Sequence, residues 1–308
     1  MRRIGLITKL FGLTLAAGAL IGIASCNAKK NGKIVITAAT SGSPAPFLVQ
    51  TESADEALYT TSDGTKLTGY DIAVITEVFK LPALEKYELK LQLSTNTIVD
   101  AQQGTVDFAI NNYSYNTERA KTFLFSYPYT KSRYTITAKP GINVSSFEEL
   151  ADSGLKIYGG AGGNTTNAID RWNEKRTAGQ SKINIEYSSV DITVQLQEAI
   201  EGKVALIHDQ PVILKYAKAY PAQFEQLTIT VLSDTETATN ITANNTSHLL
   251  FGKTGAHAEE YRKLLSEGIK TLYDNGKLEQ LGKKYIAEAL GDDSVSVLPN
   301  KNDLVYLN

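Results

Sequence analysis

The chain has 308 residues, with 31 Lys+Arg against 33 Asp+Glu, one cysteine and three histidines. A formal net charge of −2 offers no basic excess for nucleic-acid binding, and a lone cysteine cannot close an internal disulfide. His208, His248 and His257 are too scattered to form a metal-ligand pattern, and the length suffices for one large core or two of ordinary size.

Arg2, Arg3 and Lys9 precede an uncharged run, LFGLTLAAGALIGIAS, over residues 10–25. That run is shorter than the about 18–20 apolar residues that span a bilayer, and it reads as a secretory signal. It ends at IASC, where Cys26 is the only cysteine. An apolar residue and two small ones before a cysteine resemble the lipobox of bacterial lipoproteins. The resemblance implies cleavage before Cys26, a diacylglycerol on its thiol and a short tether over residues 26–32. An ordinary signal peptide followed by a chance cysteine is the alternative. Removing residues 1–25 takes away three basic and no acidic residues, which leaves a net charge of −5.

Downstream, short apolar or alternating runs recur between amphipathic stretches. KIVITAA (33–39) predicts a strand. YDIAVITEVF (70–79) sets Ile72, Ile75, Val78 and Phe79 on one helical face. YELKLQL (87–93) alternates at period 2, as a half-buried strand does. Further strands are predicted at 106–110, 133–138, 155–158, 183–187, 204–208, 227–232 and 248–251. Helices are predicted near 97–103, 165–175, 192–201, 211–219 and 257–289. Strands alternating with helices predict α/β units with mainly parallel sheets. Residues 50–66 and the segment from Gly291 onward are polar and read as loops. Strand-like crossings near 133–140 and 227–240 bracket a middle block that can fold as its own lobe. The expected division is 33–136 plus 237–290 for one lobe, 137–236 for the other, and 291–308 as a tail. Two such lobes joined by two strands can hinge.

Three segments carry candidate chemistry. NNYSYNTERAK (111–121) follows the apolar VDFAI, and its Ser114 and Arg119 together suit bidentate capture of a carboxylate. Equally, Asn116 or Thr117 caps a short helix with Arg119 solvated on its first turn. GGAGGNTTNAID (159–170) is a glycine-rich turn opening a helix, whose free N–H groups attract anions, though the glycines also suit a plain tight turn. It has neither the Walker Lys-Ser/Thr nor the dinucleotide spacing. In LIHDQP (206–211), Asp209 is either an acid facing an ammonium group or the cap of a helix that starts near Pro211.

Across residues 33–290 the chain resembles the family-3 extracytoplasmic solute-binding proteins of amino-acid ABC transporters. The likeness is carried by SGSPAPF, LTGYDIAV, GTVDFAI, NTERAKTFLFSYPY, the Gly-Asn-Thr turn, HDQP and DNGKLEQLGKKY. It implies a two-lobed periplasmic-binding-protein-like α/β fold, no catalysis and no cofactor. It also implies that Arg119 binds a ligand α-carboxylate, assisted by Ser114 and by the turn residues Ala161, Gly163 and Thr165. Asp209 is then the acid for the α-ammonium. The family's frequent aromatics are replaced by Pro44 and Ser94, and the position that is acidic in binders of basic amino acids is Ser41. Asn111 and Asn112 stand where a subset resembling cystine importers has Asn-Gln.

The expectation is therefore a lipid-anchored, extracytoplasmic, monomeric protein that passes a polar amino acid, cystine being a candidate, to an ABC-importer permease. The enzyme reading, a dehydratase-like activity on the same fold, would pair His208 with Asp209. Adjacent strand residues point to opposite faces, so the two do not easily serve one cleft. A sensory or adhesion module is the third reading.

Overall fold

The computed structural model describes residues 29–30, 32–160, 163–188, 190–242 and 245–307. The signal segment, Cys26 and Ala161 lie outside the described residues.

The chain enters with β1 (Lys29–Lys30) and β2 (Lys33–Thr40), then adds a small side sheet of β3 (Val49–Gln50), β4 (Tyr59–Thr60) and β5 (Lys66–Thr68). Residues 50–66, expected as loop, thus contribute strands, with β5 pairing antiparallel to both of its neighbours. Gly69, at φ 105°, turns β5 into α1 (Tyr70–Val78); a Cβ there would sit 2.5 Å from the Phe47 carbonyl oxygen, so only glycine fits. Ile72, Ile75 and Val78 are buried as their helical spacing predicts, whereas Phe79 ends the helix half-buried.

β6 (Tyr87–Leu93), α2 (Thr97–Gln103), β7 (Phe108–Ser114), α3 (Thr117–Thr122), β8 (Phe123–Phe125) and β9 (Thr130–Lys131) follow. The middle block holds β10 (Tyr134–Ala138), α4 (Phe147–Ser153), β11 (Lys156–Gly159), α5 (Asn164–Glu174), β12 (Asn184–Tyr187) and α6 (Ile192–Ile200). It continues through β13 (Leu206–Asp209), α7 (Gln210–Ala219), α8 (Pro221–Phe224), β14 (Thr228–Val231) and α9 (Asp234–Asn240). The chain then returns as β15 (Thr246–Gly252), α10 (Ala258–Asp274), α11 (Lys277–Gly282) and α12 (Glu288–Leu290).

The sheets are mixed rather than mainly parallel. β2 runs parallel to β6 and β7, but β15 is antiparallel to β7, β8 and β9, and β10 is antiparallel to β13 and β14. β10 and β15 are the strands on which the chain enters a sheet from the other unit, and each runs against its neighbours there. All seven residues of β15 are buried, as expected of a strand covered on both faces. One core gathers Ile36, Phe108, Phe251, Leu265 and Ile269, and a second gathers Ile136, Phe147, Leu150, Ile157 and Ile169.

The expected cuts at 136/137 and 236/237 fall inside β10 and α9, because both elements belong to the middle block. β10 is paired along its length with β13 and β14, and Thr237 and Ile241 are buried on that side. The chain leaves the first sheet after β9 and enters the second at Tyr134, so it passes between them at Ser132–Arg133. On the return, the Thr242 hydroxyl donates to the Tyr115 carbonyl at 2.9 Å, and the Asn245 carbonyl accepts the Ser132 N–H at 3.0 Å. The segment after Gly291 is irregular, yet it is packed. Val295 and Val297 join the first core, the Val297 carbonyl takes the Lys131 N–H at 2.8 Å, and Arg262 lies 3.9 Å over the Tyr306 ring.

Candidate functional site

Parallel strands β2, β6 and β7 end at one edge of the first sheet, the edge where open α/β sheets bind ligands. Three of the expected residues meet there. The Ser94 N–H donates to the Thr40 carbonyl at 2.9 Å, which docks the end of β6 against the end of β2. The Ser41 N–H donates to Asn111 Oδ1 at 3.2 Å, and the Ser41 hydroxyl shares its proton between that oxygen, at 2.6 Å, and the Ser43 carbonyl, at 2.7 Å. A backbone N–H can only donate, so this pairing turns the Asn111 oxygen toward Ser41 and the amide nitrogen away from it. Pro44 lies beside them, half-buried, its carbonyl accepting the Leu48 N–H. Asn112 adopts φ 49°, with its N–H bonded to Asp71 Oδ2 at 2.8 Å.

The capping alternative for the TERAK segment holds for Asn116 but not for a solvated Arg119. Asn116 does cap α3, its Oδ1 accepting the Arg119 N–H at 2.8 Å. The Arg119 side chain, however, is not spread into solvent. It folds back so that Nη1 donates to the Ser114 carbonyl at 2.9 Å, with the guanidinium 5.1 Å from the centre of the Tyr113 ring. Among the described residues no carboxylate pairs with it. Burial pulls its pKa down, because desolvation disfavours the charged form.

Gly163 precedes α5 and Thr165 lies half-buried in its first turn, with the Gly163 N–H turned to the Gly160 carbonyl at 3.1 Å. Asn164, between them, bonds within its own unit and across to the other. Its Nδ2 donates to the Tyr134 hydroxyl of β10, and its Oδ1 accepts from Asn116 Nδ2 of the first unit, each at 3.2 Å. The Tyr134 hydroxyl also lies 3.2 Å from the buried Ser114 Oγ. Sequence reasoning read the Gly-Asn-Thr turn but not the role of its asparagine. Tyr134 gave no signal beyond that of a strand residue.

Asp209 ends β13 directly opposite Tyr134 in the β10–β13 pairing. It occupies the cap position of α7 yet makes no side-chain cap bond; its Oδ1 accepts from the Ser132 hydroxyl at 2.7 Å. The helix-cap alternative is thereby removed. Burial raises this carboxyl to about 6, the Ser132 bond only partly opposing it. The Tyr134 phenol is held well above its usual range, by burial first and by the Asp209 carboxylate second, while Ser114, Asn164 and Arg119 act in the opposite direction. His208 has its ring edge-on to Tyr216 at 5.7 Å, and burial lowers it to about 4. It is a neutral packed residue. Among the described residues no group of three His, Cys, Asp or Glu side chains can hold a metal ion.

The arrangement gathers a cation, hydroxyls and a carboxylate around Tyr134, a set of groups that suits the two ions of a zwitterion. Residues 49–288 match the family described as bacterial extracellular solute-binding proteins, family 3. The chain is similar to the L-cystine-binding protein TcyJ of Bacillus subtilis (strain 168), 26% identical over 224 residues that cover 72% of this chain and 76% of that protein. It is 23% identical over 230 residues to the L-cystine-binding protein TcyK of the same organism, covering 74% and 77%. A structure from work on glutathione import via GshT and the cystine ABC importer TcyBC of Streptococcus mutans superposes with a TM-score of 0.67 at 26% identity, covering 87% of this chain and 98% of that one. The match over most of its length, on a two-lobed α/β frame, makes this chain a member of the family-3 bacterial extracellular solute-binding proteins, a binding protein and not an enzyme.

Proposed function

We propose that the protein captures an amino acid between its lobes outside the cytoplasmic membrane and delivers it to an ABC-importer permease, acting as a monomer. The observation that carries this reading is the pair Arg119 and Asp209, a cation with no carboxylate partner among the described residues and a half-buried acid, both near Tyr134. Arg119 and Ser114 take the α-carboxylate with the turn of Ala161, Gly163 and Thr165; Asp209 takes the α-ammonium. Bound this way the ligand touches both lobes, so it favours the closed state by contacts that the open state lacks. The lobes pivot at 132–133 and on the return beside Thr242 and Asn245.

The ligand's side chain lies among Ser41, Pro44, Ser94, Asn111 and Asn112. None of these is acidic, and the Asn111 amide nitrogen, turned from Ser41, is a donor that wants an acceptor. A polar, uncharged side chain fits, and L-cystine is the candidate, in keeping with relatives named for binding it. The tether is the lipid on Cys26. Native mass spectrometry of the protein purified without added ligand tests the reading. A retained mass equal to an amino acid supports it, and a retained sugar or metal overturns it.

A further inference from the structure

Between its two pairings β7 does not keep step with β15. Ala109 faces Leu250 and Tyr113 faces His248, so four residue steps on β7 answer two on β15. The surplus is a bulge, and Asn112 within it sits at φ 49°, a left-handed conformation uncommon outside glycine. A bulged residue leaves its N–H without a ladder partner, and a buried N–H must find an acceptor elsewhere. The acceptor comes from another element: Asp71, in the first turn of α1, takes the Asn112 N–H on Oδ2 at 2.8 Å. The same oxygen accepts the Tyr129 hydroxyl at 3.1 Å, while the Tyr70 hydroxyl bonds the Tyr129 carbonyl at 2.7 Å. Asp71 is wholly buried, and among the described residues its Oδ1 has no hydrogen-bond partner. A carboxyl placed only to complement the start of α1 would face solvent; this one faces the bulge.

We infer that Asp71 is a positioning residue for the cleft, holding the β7 bulge through Asn112 so that Asn111 and Ser114 point where the ligand meets them. The bulge separates two groups of site contacts. On one side Asn111 reaches Ser41; on the other the Ser114 carbonyl receives Arg119 and the Ser114 hydroxyl meets Tyr134. Losing the clamp lets Asn112 relax toward an extended strand, which turns alternate side chains to the other face of the sheet. Both ends of the cleft then lose their aim together, although Asp71 touches no ligand. Burial raises this carboxyl to about 7, and a neutral acid keeps an acceptor oxygen for Asn112, so the clamp survives without the charge.

The inference rests on the amino-acid cleft proposed above, and its test has an arm that needs no ligand. In isotopically labelled protein, the Asn112 amide exchanges with solvent at least 100-fold slower than an unstructured amide. Asp71→Ala removes at least tenfold of that protection and leaves the α5 and α6 amides unchanged. Asp71→Asn, which keeps an acceptor, restores it. With L-cystine as probe, Asp71→Ala weakens binding at least tenfold at a temperature where circular dichroism shows it folded, and Asp71→Asn stays within threefold of wild type. A merely structural residue would lower the melting temperature without changing the affinity of the folded fraction, and that result overturns the inference. So does an unprotected Asn112 amide in the wild-type protein, which decides the matter even if Asp71→Ala does not fold. Failure of the wild type to bind L-cystine bears on the ligand assignment alone.

Discussion

Arg119 donates through Nη1 to the carbonyl of Ser114, 2.9 Å away, the last residue of the strand that precedes its own helix. The short link Tyr115–Asn116 lets the side chain double back, and the Tyr113 ring supports its plane. One edge of the guanidinium is thus fixed by the protein, which leaves its other N–H groups to an incoming anion.

Replacing Arg119 with alanine should therefore abolish tight ligand binding. Truncating one partner of a buried charged pair typically costs about 2–5 kcal/mol. Arg119→Lys should recover little, because an ammonium lacks the planar fork. Calorimetry on folded variants measures both. If Arg119→Ala binds within a few fold of wild type, the arginine is only a strand-end support.

The pH dependence follows from Asp209. Its carboxyl titrates at about 6 in the fold against 3.8 for an ordinary aspartate, so between those values the native state holds more protons than the unfolded chain. Stability contributed by this group is therefore lost as pH rises through that window. A ligand ammonium reverses the preference by stabilising the charged form. Binding should tighten with rising pH up to about 6 and release a proton, which calorimetry in buffers of different ionisation enthalpy detects. His208 and His248, both lowered to about 4, titrate at the foot of this window and are neutral near pH 6. Asp71, raised to about 7, also titrates, so the control is Asp209→Asn, which should remove the proton release near pH 6.

Lysine and arginine should bind poorly, since Ser41, Ser94, Asn111 and Asn112 provide no carboxylate for a buried cation, and an uncompensated charge is expensive to bury. A calorimetric panel of the common amino acids and L-cystine checks this. Arginine as the tightest ligand would refute the lining assigned to the side-chain end.

Cys26→Ala should leave an uncut precursor without lipid, seen as a higher mass and as loss of partition into detergent. A diacyl mass on the variant's N-terminus would show that the anchor lies elsewhere.

Much of this was legible from residue order alone, because it depends on neighbours along the chain. Periodicity marks α1 and β6, Asn116 is a recognisable helix cap, and the family's short motifs named Arg119, Ser114 and Asp209 as candidates. The packing of the segment after Gly291 was not legible, since its polar composition conceals the two valines that it buries. Nor was the mixed sense of the sheets, because it depends on pairing between segments distant in sequence. The roles of Tyr134, Asn164 and Asp71 were the least visible. Each acts through hydrogen bonds to residues distant in sequence, Tyr134 to Asn164 and Asp71 to Asn112, and local patterns carry no information on such pairs. By itself, then, the sequence determined most of the larger elements and pointed to a basic and an acidic candidate, because propensity and side-chain chemistry are local. Only the tertiary structure decided that Asp209 faces Ser132 rather than capping its helix, and that a bulge clamped by α1 aims the end of β7, because those choices turn on which surfaces bury against each other.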